Sequence, residues 1–136
     1  MSKKICFKVN LPYQNNKLFE KGKDLDLYYR LKQFFDSYGF KVGTQDIINE
    51  NESDIVFYID YRSDFINTSS FKVLMALESN AVIKKTFDKI YTDKFDLVFT
   101  FLENIIDNKK IFKINYSFNL KNEVGISFTD KTKFLC

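Results

Sequence analysis

Three short runs in the middle of the chain, 54–59 (DIVFYI), 71–77 (FKVLMAL) and 96–101 (DLVFTF), are apolar at almost every position. A strand with one wet face alternates apolar and polar residues; one that does not alternate must be covered on both sides. Such strands belong to parallel sheets with helices packed above and below. Shorter runs at 4–9 (KICFKV), 40–43 and 111–116 fit the same sheet as further strands.

Between the strands the period changes. Asp24 is placed to cap a helix, Asp26 sits in its first turn, and Leu27, Leu31, Phe34, Phe35 and Tyr38 make one apolar stripe. Gly39 is placed to end that helix in a left-handed cap. A second helix is predicted over 81–94, with Val82 or Ile83, Phe87 and Ile90 or Tyr91 inward. Segment 10–23, which holds the only proline, Pro12, lacks clear periodicity, and 46–53 is a polar connection. Loop 60–70, a polar turn or short helix at 103–110 and a mostly polar tail at 117–133 complete the chain. Strands alternating with helices predict βαβ units and an α/β fold of Rossmann-like type: a doubly wound, mainly parallel sheet in three α/β/α layers.

The 136 residues suit one domain, and 45% hydrophobic with 29% charged residues is a globular balance. The net charge of +3 is spread without a basic block, which argues against nucleic acid as a partner. There is no histidine, so the commonest general base, the commonest metal ligand and any Ser-His or Cys-His nucleophile are excluded. Cys6 and Cys136 have no zinc-site spacing, and no metal site is expected. No apolar run approaches the ~20 residues of a membrane span, and the N-terminus does not read as a signal peptide, so a cytoplasmic location is expected.

None of the four glycines opens a helix after a strand, so neither a dinucleotide fingerprint nor a P-loop is visible. A phosphoryl-receiver reading fails as well: the magnesium-holding acidic pair it needs after the first strand is Val9-Asn10-Leu11-Pro12 here. What remains is a set of polar residues just past strand ends: Asp60, Arg62 and Asp64 after one strand, Glu78 and Ser79 after the next. Open α/β sheets bind ligands beyond the carboxyl ends of their strands, so these residues read as the rim of a cleft. From spacing alone they fit a solvated rim better, and Glu78 also fits a place beside a helix N-terminus capped by Ser79 or Asn80.

The series Asp54-Ile55-Val56-Phe57, then Leu74-Met75-Ala76-Leu77-Glu78-Ser79, then Lys94-Phe95-Asp96-Leu97-Val98-Phe99-Thr100 resembles the N-terminal half of the α1,3-fucosyltransferase family. The tail, Ile126-Ser127-Phe128 through Lys133-Phe134-Leu135-Cys136, is similar to the segment leading into that family's second domain. Asn80 and Ser127 stand where the family usually has proline, and the family's N-terminal tryptophans are missing. The resemblance implies one half of an inverting GT-B glycosyltransferase with two Rossmann-like domains. The N-terminal domain would hold a glycan acceptor, with Asp60, Arg62, Asp64 and Ser79 as the expected acceptor-binding residues and Glu78 as the general base. The C-terminal domain would hold the nucleotide sugar, GDP-fucose in characterised members, so no cofactor is expected on this chain. On that reading residues 1–120 are the acceptor-side domain and 121–136 a linker toward a missing donor-binding domain. The chain alone is then inactive, and its exposed interdomain face favours self-association. The competing expectation is a stand-alone flavodoxin-like binding module without catalysis.

Overall fold

A computed structural model describes residues 2–22 and 26–115. Six strands form one sheet: β1 (Lys4–Lys8), β2 (Lys41–Thr44), β3 (Ile55–Ile59), β4 (Phe71–Ala76), β5 (Leu97–Thr100) and β6 (Ile111–Lys113). Their order is β2-β1-β3-β4-β5-β6, and every neighbouring pair is parallel. The chain steps from β1 to β2 on one side, then crosses to β3 on the other. Winding therefore reverses between β1 and β3, which makes the sheet doubly wound and marks that gap as the switch point.

The two-residue period of a strand sorts the core into two layers. Ile5, Phe7, Val9, Phe57, Val73 and Met75 face one way; Cys6, Val56, Tyr58, Leu74, Ala76 and Val98 face the other. Helix α1 (Asp26–Ser37) covers the first layer together with Leu18 and Phe19. There Phe7 stacks on Phe57 at 4.6 Å and meets Phe19 and Tyr28 edge-on. The second layer is covered by Ile48, Tyr91 and Phe95, with Tyr61, Phe65 and Phe87 beside them. Each such buried side chain contributes about 1.5–3 kcal/mol of transfer free energy.

Helix α1 ends as its glycine requires. Gly39 has φ +79, the Phe40 amide donates to Phe35 O and the Gly39 amide to Asp36 O, and the rings of Phe35 and Phe40 meet at 5.9 Å. That is a Schellman cap with its usual apolar contact. The helix's apolar stripe is narrower than the sequence predicts. Leu27, Leu31 and Phe35 pack inward and Tyr28 joins them, fully buried, whereas Phe34 and Tyr38 are exposed and lie against each other at 4.9 Å. At 100° per residue, position 34 falls just past the edge of the stripe that 27, 28, 31 and 35 define, and Tyr38 lies after the helix's last residue, Ser37. The Asp24 cap lies outside the described residues, as do the tail at 117–133 and the linker at 121–136.

The second predicted helix is not one helix. Residues Lys84–Phe87 form a 3-10 turn, and α2 covers only Lys89–Thr92. Asp88 between them is extended. Val82, Ile83 and Thr86 are β-branched and poor helix formers, and the two short pieces let Tyr91 and Phe95 both reach the sheet while Val82 and Ile90 stay in water. Segment 10–22 is likewise more ordered than its composition suggests. Asn15 and Asn16 adopt left-handed backbone, the Asn16 amide donates to Thr44 Oγ1, and Asn16 Oδ1 accepts from the Thr44 amide.

Candidate functional site

The polar residues singled out in the sequence all lie at the carboxyl edge of the sheet, in two groups held together by loop 60–70. The first group joins β3 to β4. The Asp60 amide donates to Met75 O at 3.0 Å, closing the ladder between the two strands. The chain then turns through a left-handed φ of +54, and Asp60 Oδ1 accepts from the amides of Leu77 at 2.8 Å and Glu78 at 2.9 Å. Its own carbonyl accepts from Tyr91 Oη at 3.2 Å, and the same hydroxyl accepts the Arg62 amide at 2.9 Å. Burial pushes the Asp60 carboxyl above the ordinary aspartate range and the Glu78 charge adds to this; the two amides pull the other way. Burial likewise raises the Tyr91 phenol to about 12.

Glu78 is exposed, two residues past β4. Its backbone is tied, but its carboxylate has no hydrogen-bond or ion-pair partner among the described residues. Ser79 supplies its carbonyl to the amides of Val82 and Ile83, each at 3.0 Å, closing one tight turn rather than capping a long helix.

The second group lies over the switch point. Arg62 grips Asp64 with both arms, Nε to Oδ1 at 3.0 Å and Nη2 to Oδ2 at 3.1 Å, while Nη1 donates to Asn10 Oδ1 from the loop after β1. The fork from Arg62 holds the Asp64 carboxyl below its usual range. Asp60 and Arg62 are thus largely occupied with the protein itself, whereas Glu78 is not.

Sequence reasoning passed over what lies beneath. Lys8, the last residue of β1, is 3% exposed; its Nζ donates to Glu50 Oε1 at 2.8 Å, Glu50 Oε2 at 3.0 Å and Asp64 O at 2.6 Å. Tyr58 Oη, on the neighbouring strand, donates to Glu50 Oε2 at 3.3 Å and Ile66 O at 3.2 Å. Burial and then the Glu50 charge push the Tyr58 phenol well up, and burial raises the Cys6 thiol to about 12. The signal was there: a lysine in a strand covered on both faces needs a carboxylate, and Glu50 lies in the connection that must pass that end of the sheet.

Among the described residues no group of carboxylates or thiols is arranged to hold a metal ion, and no helix is long and apolar enough to cross a membrane. Two surface hollows are present, one beside α1 and β2 around Phe40 and Ile47, the other at Lys72, Lys94 and Asp96, where Phe65 and Asn67 of loop 60–70 also line it. Neither is lined by Glu78.

Fold and site together define a Rossmann-like α/β domain with a polar rim at the carboxyl ends of its strands. Comparison of the chain with protein-family models, with curated proteins and with solved structures finds no match in any of the three.

Proposed function

We propose that the chain is the acceptor-side domain of an inverting glycosyltransferase of fucosyltransferase-like type, with Glu78 as its general base. One observation carries the reading: an exposed, unpartnered carboxylate stands past the end of a central parallel strand, on backbone that Asp60 ties down. Inversion needs such a group. As the acceptor hydroxyl attacks the anomeric carbon, Glu78 takes its proton; the new C–O bond forms as the bond to the nucleoside diphosphate breaks on the opposite face. The donor nucleotide, GDP-fucose on this reading, is held by a second domain, and the uncovered interdomain face supports self-association of the domain alone. Arg62, Asp64 and Ser79 line the acceptor's approach. A cytoplasmic location, peripheral at most to the inner face of a membrane, accords with this role.

The test joins the chain to a donor-binding domain and measures transfer from GDP-fucose to a panel of disaccharides, lactose among them. Glu78→Gln is expected to lower turnover by about 10²–10⁴-fold. Undiminished turnover in that variant rules the assignment out.

A further inference from the structure

We propose that Asp60 is the positioning residue of this site: its carboxylate fixes the peptide that carries Glu78, and does not itself meet the acceptor. The inference rests on the reading of Glu78 as base and deepens it.

Strand β4 ends at Ala76, whose ladder partner is Thr100 of β5. Beyond it the amides of Leu77 and Glu78 have no strand to bond to. Asp60 supplies the missing acceptor with a single carboxylate oxygen, and its own amide holds Met75 O one step earlier. Three successive steps of β4 and its extension are therefore gripped by one residue. The grip is made from the left-handed backbone at Asp60, with the side chain turned to the continuation of the neighbouring strand β4. Tyr91 locks that turn from α2 through the Asp60 carbonyl and the Arg62 amide. A base must hold its carboxylate to within a fraction of an ångström of the reacting hydroxyl, and the two bonds from Asp60 fix where the Glu78 side chain starts.

Charged and titratable groups around Asp60 are Glu78 past β4, Tyr91 from α2 and Arg62 in its own loop. When Asp60 takes a proton the grip on the two amides weakens. In amide NMR spectra of the 136-residue chain, the Leu77 and Glu78 amide protons are expected to move upfield together as pH falls, with one shared midpoint above the ordinary aspartate value. Glu78→Gln should lower that midpoint, because the Glu78 charge raises it. Asp60→Asn should abolish the shared step.

In the transferring protein, Asp60→Gly removes the carboxylate without straining the backbone and is expected to cut kcat about 100-fold with little change in KM. Asp60→Asn, which keeps an oxygen acceptor and tolerates left-handed backbone, should lose less. Two amides that titrate independently of Asp60 overturn the proposal. So does a rise in KM alone, which marks Asp60 as an acceptor contact. Undiminished kcat in Asp60→Gly, with Glu78→Gln inactive, overturns the positioning role and leaves the base standing. Full turnover in Glu78→Gln overturns the base instead, and the amide titration then carries or sinks the grip by itself.

Discussion

Lys8 Nζ and Glu50 Oε1 lie 2.8 Å apart with both side chains almost sealed from water, at the carboxyl end of the strand that borders the switch point. Two buried opposite charges lose hydration that their attraction only partly returns. The pair nevertheless anchors loop 60–70: Lys8 holds Asp64 O, Tyr58 holds Ile66 O beside it, and Ser70 Oγ donates to Ser53 O at 2.6 Å and to Glu50 O at 3.2 Å. The loop that carries Asp60 and Arg62 is thus stapled from below.

Removing one partner should therefore cost much more than removing both. Lys8→Met leaves a buried carboxylate unpaired and is expected to destabilise the fold by about 3–5 kcal/mol. Lys8→Met combined with Glu50→Leu should recover most of that loss. Urea unfolding of the wild type, both single variants and the double closes the cycle. Strictly additive losses would mean the two charges are not coupled.

This pair also shows where the sequence stops being legible. Five of the six strands lie within a residue of the predicted runs, because continuous apolar patterning leaves no other sheet face to satisfy; the sixth, predicted over 111–116, ends at Lys113. Asp60, Arg62, Asp64 and Glu78 come out at one edge for the same reason: parallel strands send all their carboxyl ends the same way. What patterning does not encode is who bonds whom. Glu50 is 42 residues from Lys8, and Tyr91 reaches loop 60–70 only because its helix is broken short. The predicted helix over 81–94 fails on the same ground, since period alone does not weigh β-branched residues against the reach Tyr91 needs.

Gly39 permits a cleaner measurement. Its φ of +79 lies where a side chain is strained, yet a Cβ built there meets nothing within 4 Å. The cost of Gly39→Ala is then conformational alone, about 1–2 kcal/mol. Gly39→Asn should cost less, since asparagine visits that region more readily. At Gly43 the situation reverses, with an ordinary backbone but Ile48 Cγ1 at 3.0 Å from a new Cβ and Asn16 Oδ1 at 3.3 Å. Thermal unfolding of Gly39→Ala, Gly39→Asn and Gly43→Ala separates backbone strain from crowding. A Gly39→Asn variant no more stable than Gly39→Ala would refute the conformational account.

Two aspartates should pull stability in opposite directions as pH changes. Asp107 Oδ1 accepts from the amides of Lys109, Lys110 and Ile111 at the entrance to β6, and these bonds hold its carboxyl down at about 2. A lowered folded-state pKa means stability present above the ordinary 3.8 and lost progressively as pH falls toward 2. Asp60 is the reverse: its pKa is raised, chiefly by burial, so the folded state binds its proton more tightly than the unfolded chain. Stability then falls as pH rises through the window that starts at 3.8 and ends at the raised value, and the deficit persists at neutral pH. Asp60→Asn should accordingly be more stable than wild type at neutral pH, with the advantage shrinking below pH 3.8, while Asp107→Asn should be less stable at neutral pH and converge on wild type in acid. Urea midpoints across the acid range decide both signs. An Asp60→Asn protein weaker than wild type at neutral pH would mean the two amides outweigh the burial of that charge, and that the carboxylate is kept for the fold rather than at its expense.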